Sequence, residues 1–130
     1  MTVHFSNDKL IVIEDYAHHP TEVKAALELL RKNYPSTHLR VLFQPHRFAR
    51  LEKYFAEFAE VLSRADSVLV APVFAAWSET GKVDHHALAR AAGGRSVEGS
   101  YRQWAAETLA NSRNIQRRFR KNISKRKNRH

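Results

Sequence analysis

The sequence contains no cysteine among its 130 residues, which excludes disulfide bonds and thiolate metal sites and leaves the redox compartment open. Only four residues are glycine, and none fits the G-x-x-x-x-G-K-[ST] pattern that cradles a triphosphate. No apolar run approaches the roughly 18 residues of a membrane span. The start of the chain lacks the basic and then apolar segments of a signal peptide. We therefore expect a cytoplasmic protein with no membrane partner.

The charges of the chain are divided between two regions. All 13 acidic residues lie within residues 1–112, together with 13 of the 22 Lys and Arg, so this stretch carries no net charge. The remaining basic residues lie within 113–130, where no acid accompanies them, and they account for the net charge of +9. We expect one domain at 1–112, because domains commonly have about 100–150 residues. Residues 113–130 are expected to form a basic tail that is disordered or irregularly helical.

Short apolar runs alternate with amphipathic stretches along residues 1–112. Buried strands are predicted at 9–14, 39–43, 67–71 and, more weakly, 95–98. Helices are predicted at 20–33, 51–62, 84–92 and from the Ser100-x-x-Gln103 capping box to about residue 110. This alternation predicts an α/β fold, an open Rossmann-like three-layer structure with a mostly parallel sheet and helices on both faces.

Sheets of this class bind ligands beyond the carboxyl ends of their strands. In this sequence, those ends are followed by the segments Asp15–His19, Gln44–Arg50 and Pro72–Ser78. Polar and charged side chains crowd the first two segments. The candidate site is therefore expected where these two segments meet.

The first of these segments belongs to the run Glu14-Asp-Tyr-Ala-His-His-Pro-Thr-Glu22. An exposed Asp15 at a strand end is suited to accept hydrogen bonds from ribose hydroxyl groups, and a helix N-terminus favours anions. An equally weighted interpretation is structural, because Asp and His are common residues at the start of a helix. The residues alone leave these two interpretations open.

The second segment is Phe43-Gln-Pro-His-Arg-Phe-Ala-Arg50. If a helix begins near Phe48, Arg47 and Arg50 are able to point towards one pocket. Two guanidinium groups suit a carboxylate or a phosphate because each offers a bidentate fork. The alternative is two solvated arginines, although a cation at a helix start is unfavourable against the helix dipole.

Both segments resemble motifs of the Mur ligase C-terminal domain. The domain's strand-to-helix motif is similar to the run Asp-Tyr-Ala-His-His-Pro-Thr-Glu. A second motif, that of the subgroup that joins L-alanine to UDP-N-acetylmuramate, resembles the run Gln-Pro-His-Arg-Phe-Ala-Arg. The resemblance covers roughly residues 5–110. It implies one part of an ATP-dependent amide ligase in peptidoglycan precursor synthesis, with ATP, Mg²⁺, L-alanine and UDP-N-acetylmuramate bound by the intact ligase.

The same resemblance implies a role for each matching side chain. Asp15 would contact the ATP ribose, and Tyr16, His18, Arg47 and Arg50 would face the amino-acid and acyl end of the site. None of these residues would be a nucleophile, a catalytic acid or base, or a metal ligand, so they would act by positioning and charge stabilisation. The triphosphate and Mg²⁺ would be held mainly by a central domain that this sequence does not contain. This chain alone is therefore expected to be inactive.

Four further expectations concern the rest of the chain. The glycine-containing final strand of the family is expected to be missing, because no glycine follows Gly99. Histidine pairs such as His85-His86 are expected to be solvated or capping residues, since adjacent helical side chains point in different directions. Trp77 is expected either to line the ligand pocket or to pack over the sheet edge. The alternative function is a non-catalytic α/β binding module whose basic tail binds nucleic acid nonspecifically.

Overall fold

The computed structural model describes residues 1–7, 10–75 and 79–109. The basic tail, Trp77, Lys9 and residue 110 lie outside the described residues, as do the structural expectations attached to them. The described chain divides into two compact units, one built from residues 1–14 and from residue 98 onward, the other from residues 15–97. The longest described helix has 14 residues, so none of the described helices is long enough to span a bilayer.

The secondary-structure elements follow the predicted alternation closely. In chain order they are β1 (Thr2–Ser6), β2 (Ile11–Glu14), α1 (Pro20–Asn33), β3 (Arg40–Phe43), α2 (Phe48–Lys53), α3 (Phe55–Leu62), β4 (Ser67–Val70), α4 (His85–Ala91), β5 (Arg95–Ser96) and α5 (Tyr101–Thr108). The predicted capping box of α5 is present, with the Ser100 and Gln103 side chains each accepting from the other's backbone N–H. In the same unit, β1 and β2 form an antiparallel pair. The sequence analysis did not predict β1.

The larger unit contains a three-stranded parallel sheet in the order β3-β4-β5. Because successive parallel strands are neighbours and crossovers are right-handed, the connecting helices α3 and α4 lie on the same face, where they contact each other. The end of α4 approaches the sheet closely at Gly94, where a Cβ would lie 2.3 Å from the Val68 carbonyl oxygen. An open parallel sheet flanked by helices is the predicted fold class, and the structure confirms it.

The core of this unit lies between the sheet and its helices. Phe43 of β3 packs on Phe58 of α3 with ring centroids 5.1 Å apart. Leu51, Leu62 and Leu88 are fully buried around them. Burying a side chain of this size stabilises a fold by about 1.5–3 kcal/mol. β3 and α2, which flank the second polar segment, are therefore fixed to a packed core.

The structure corrects one predicted helix. The apolar spacing of residues 51–62 predicts a single helix, but the chain forms α2 and α3, which are separated at Tyr54 with φ −113° and ψ 22°. The imidazole of His19 meets the Tyr54 ring edge-on at 4.6 Å. Hydrophobic periodicity continues through the break, so the apolar pattern of residues 51–62 does not reveal it.

Asp66 fixes the amino-terminal ends of β3 and β4. Its carboxylate accepts a hydrogen bond from the Leu39 N–H at 2.7 Å and pairs with the Arg31 guanidinium at 2.7 Å. The hydrogen bond from Leu39, followed by that from Arg31, lowers the pKa of the Asp66 carboxyl below its ordinary value of 3.8. One exposed carboxylate thus joins α1, β3 and the start of β4.

We expect Asp66→Asn to reduce stability at neutral pH because the amide accepts these bonds without a negative charge. A carboxyl with a lowered folded-state pKa contributes stability above its unfolded pKa and loses it as the pH falls through the folded value. The free energy of unfolding of the variant should therefore fall less steeply than that of the wild type below about pH 3.8. Urea unfolding at several pH values measures this, with Glu57→Gln, an exposed acid on α3, as control. Identical pH profiles for the wild type and Asp66→Asn would contradict the assignment.

Candidate functional site

The polypeptide segments after β3 and β4 stay paired beyond the ends of both strands. The Arg47 N–H donates to the Phe74 carbonyl at 2.8 Å, and the Phe74 N–H donates to the Pro45 carbonyl at 2.8 Å. His46 and Phe74 thereby form an isolated parallel bridge, with ring centroids 5.3 Å apart. This pairing fixes the segment that carries the two candidate arginines.

Arg47 lies at the junction between this pairing and α2. The helix begins at Phe48, three residues before the predicted start at Leu51, and Arg47 occupies the preceding N-cap position without a side-chain cap. Its φ of +66° is the only positive value for a non-glycine residue among the described parts of the chain. Such a conformation costs on the order of 1–3 kcal/mol and persists only where the surroundings impose it. Arg47 is exposed and Arg50, one turn along α2, is half-buried.

The segment Asp15–Glu22 makes the local contacts expected of residues that form the start of a helix. The Asp15 Oδ1 accepts the Ala17 N–H at 2.8 Å, and the His18 Nδ1 lies 2.8 Å from the Tyr16 carbonyl oxygen. His19 is the N-cap of α1 and its Nδ1 accepts the Thr21 N–H at 3.2 Å. Glu22 completes a capping box by accepting the His19 N–H at 3.2 Å. These bonds fix the conformation of the segment that leads into α1.

The same contacts leave specific atoms available for a ligand. Within the described residues, the Asp15 Oδ2 and the His18 Nε2 take part in no hydrogen bond. Because the His18 Nδ1 donates to a carbonyl, a neutral ring presents Nε2 as an acceptor. Tyr16 is 88% exposed, far more than an aromatic residue with a packing role. The structural and functional interpretations of this segment are therefore compatible.

The two sequence segments meet at their histidines. The rings of His18 and His46 lie with their centroids 6.4 Å apart. Partial burial, then the charge of His18 and then that of Arg50 lower the pKa of His46 below 6.5. The structure therefore brings His18, His46 and Arg50 into one electrostatic neighbourhood beside Arg47. Tyr16 and Asp15 are connected to this neighbourhood only because they lie in the same short segment as His18.

The two arginines have no acidic partner among the described residues. Neither Arg47 nor Arg50 lies within 4.0 Å of a carboxylate oxygen in the described chain, whereas Arg31 and Arg64 both do. Unpaired guanidinium groups beside two imidazoles create a local positive potential. Such a surface suits a carboxylate or phosphate ligand.

Sequence reasoning assigned no binding role to three residues that the structure brings to this neighbourhood. His46 was given no role of its own, although it lies inside the Phe43–Arg50 segment. Phe74 is 63% exposed beside it. Glu79 accepts hydrogen bonds from the Phe48 and Ala49 N–H groups at the start of α2. Position within the segment was a usable signal for His46, whereas no local pattern predicts the contact of Glu79.

The expectation that His85 and His86 are solvated or capping residues is wrong for His85, which is buried and only 8% exposed. Their ring centroids are 4.1 Å apart, and the Nδ1 of His86 lies 2.6 Å from the Ser96 hydroxyl oxygen. His85 is the first residue of α4, where the Asp84 side chain caps the helix. Side-chain rotation at this helix start lets the two rings stack despite their different Cβ directions.

Comparison with known proteins identifies close relatives. The family described as "Mur ligase, glutamate ligase domain" matches residues 1–118. A UDP-N-acetylmuramate–L-alanine ligase of Bifidobacterium adolescentis is 47% identical over 68 residues, which are 52% of this chain and 13% of that protein. Ligases with the same name from Lacticaseibacillus casei and Desulfitobacterium hafniense are 43% identical over 75 and 74 residues, each 57% of this chain. The matched part spans 17% and 16% of those two relatives.

Replacement of Arg50 by Gln should raise the pKa of His46 towards 6.5, because one of the charges that disfavour its protonation is removed. NMR titration of the imidazole protons measures the change. In the wild type, the stability contributed by neutral His46 is complete above pH 6.5 and declines as the pH falls through that value. Arg90→Gln, on α4, serves as control and should leave the titration unchanged. An unaltered His46 pKa in Arg50→Gln would show that the two groups do not interact.

Proposed function

The chain belongs to the Mur ligase family as its C-terminal, glutamate ligase domain, and on that premise we propose that it serves an ATP-dependent ligase that joins L-alanine to UDP-N-acetylmuramate. The intact ligase would act in the cytoplasm, in the synthesis of peptidoglycan precursors. The observation that carries the proposal is the unpaired Arg47–Arg50 pair beside His18 and His46. The relatives, which carry that ligase name, support the choice of substrates.

The proposed reaction has two steps, in the order that the family resemblance implies. The terminal phosphoryl group of ATP is first transferred to the carboxylate of UDP-N-acetylmuramate, and ADP leaves. The amino group of L-alanine then attacks the acyl carbon, loses a proton and displaces inorganic phosphate. In both steps negative charge accumulates on oxygen atoms near the acyl carbon. Fixed cations are able to stabilise that charge without reorganisation.

Arg47 and Arg50 are the proposed anchors for the amino-acid carboxylate. A guanidinium group holds a carboxylate through two parallel hydrogen bonds, which fixes orientation as well as position. His18 offers the Nε2 as an acceptor that suits the ammonium or amine of the same molecule. Exposed Tyr16 would face the acyl end. The chemical contribution of these groups is orientation of the nucleophile and stabilisation of charge.

Asp15 is the proposed contact to the ATP ribose. One carboxylate oxygen is used by the Ala17 N–H, which fixes the side chain, and the other is available for ribose hydroxyl groups. The residues present therefore fit a ribose. The triphosphate and Mg²⁺, which would neutralise charge during phosphoryl transfer, are assigned to another domain because this sequence contains no phosphate-binding loop. We accordingly expect this polypeptide by itself to catalyse no ligation.

A hybrid ligase tests these assignments. In the Bifidobacterium adolescentis relative, the matching domain is replaced by that of this chain, and kinetics are measured for each substrate. Arg47→Ala should raise the KM for L-alanine roughly 10- to 100-fold, or abolish turnover, because a charge-assisted hydrogen bond of about 1.5–3 kcal/mol is lost. Asp15→Asn should raise the KM for ATP and leave that for L-alanine near the parent value.

The matched control is Arg95→Ala, which removes an exposed arginine at the start of β5. Its kinetics should equal those of the parent hybrid. An unchanged KM for L-alanine in both Arg47→Ala and Arg50→Ala would remove the arginines from the amino-acid site. Equal effects of Asp15→Asn on the KM values for ATP and L-alanine would remove the ribose assignment.

A further inference from the structure

The N-terminus of α2 lacks the acidic residue that usually stabilises a helix start. Its first turn contains no acid, its N-cap is Arg47, and Arg50 follows within one turn. The helix dipole and both arginines place positive charge at the same point, which disfavours the helix. A negative group from elsewhere in the chain would stabilise this helix start.

Glu79, which lies 31 residues beyond Phe48 in the sequence, supplies that group. One oxygen of its carboxylate accepts the Phe48 N–H and also the Ala49 N–H, the latter at 3.3 Å. The contact is reciprocated at the other end of the helix, where the Glu52 carboxylate accepts the Lys82 N–H. The segment Glu79–Lys82 and α2 therefore hold each other through two carboxylates.

Gly81 shows how close this approach is. A Cβ at this position would lie 2.7 Å from the Phe48 Cβ and 2.9 Å from the Glu52 Oε1. Both distances are shorter than van der Waals contact, so only glycine fits between the helix and the segment. The contact between Glu79–Lys82 and α2 therefore depends on the small size of Gly81 as well as on the two carboxylates.

The chain that follows β4 restrains Arg47 from both sides. On its N-terminal side, the Arg47 N–H donates to the Phe74 carbonyl at 2.8 Å. On its C-terminal side, Glu79 binds the next two backbone amides. The left-handed φ of +66° at Arg47 therefore lies between two fixed points, both supplied by the chain that follows β4. Conformations of this kind persist where the surroundings determine them.

We infer that Glu79 is a positioning residue for Arg47 and Arg50, an assignment that rests on the proposed anion site. Its carboxylate is bonded to backbone N–H groups, and it forms no ion pair with either arginine in the described residues. It therefore stabilises α2 and fixes the arginines without occupying their guanidinium groups. An acid that bound those groups directly would compete with the ligand instead.

Substitutions at Glu79 separate positioning from simple charge. Glu79→Gln keeps an acceptor for the Phe48 N–H and removes the negative charge, whereas Glu79→Ala removes both. If Glu79 acted only as a nearby negative charge, both variants would bind an anion more tightly than the wild type. If it positions the arginines, Glu79→Ala weakens binding about fivefold, as expected for loss of a helix cap, and Glu79→Gln restores most of it.

The experiment uses the full 130-residue chain with inorganic phosphate as the probe, monitored through the Arg47 and Arg50 side-chain NMR signals. Amide hydrogen exchange at Phe48 and Ala49 is measured in parallel, together with the Arg47 backbone shifts that report its φ. Glu57→Gln is the matched control, since Glu57 is exposed and forms no hydrogen bond or ion pair among the described residues. Thermal unfolding verifies that each variant is folded before the affinities are compared.

Faster exchange at Phe48 and Ala49 with weaker phosphate binding in Glu79→Ala, and recovery of both in Glu79→Gln, support the inference. Unchanged exchange and Arg47 shifts in a folded Glu79→Ala overturn it, whatever happens to phosphate. Tighter binding in both variants overturns it in favour of a simple charge effect. If the wild-type chain binds no phosphate, the proposed anion site fails, while the exchange data still decide whether Glu79 holds α2.

Discussion

The parallel pairing of β3 with β4 is the constraint on which the rest of the larger unit depends. At the amino-terminal end of the pair, the Asp66 carboxylate binds the Leu39 N–H and the Arg31 guanidinium. At the carboxyl end, the pairing continues as the bridge between His46 and Phe74. Between these ends, Phe43 and Phe58 anchor the sheet to its covering helix. Both ends of the β3–β4 pair are thus held in place by specific contacts.

The candidate site depends on this constraint because its residues follow the strand ends directly. Once the segment at His46 is paired with Phe74, Arg47 has little freedom, and the left-handed φ of +66° directs the chain into α2. The segment after β2 is fixed differently, by local bonds of Asp15, His18 and His19. The turn and a ligand contact do not compete here, because Asp15 and His18 each use one atom for the turn and leave another without a hydrogen bond among the described residues.

Much of the fold followed from local patterns. The strand ending at Glu14, α1 with its His19 cap and the Ser100 capping box all depend on residues within a few positions of each other. The break at Tyr54 was not predicted, because the apolar repeat continues across it while the contact with His19 comes from 35 residues earlier. A separation of 28 residues likewise hid the proximity of the His18 and His46 rings.

The sequence by itself determined the fold class, the two polar segments at strand ends and the family to which they belong. Those features are local in the chain, since periodicity, caps and contiguous motifs need no knowledge of distant neighbours. Only the tertiary structure decided that the two segments meet at His18 and His46, and that Arg47 and Arg50 have no acidic partner among the described residues. It also decided that Glu79 compensates the start of α2, because a carboxylate 31 residues away in sequence reaches those amides only in the folded chain.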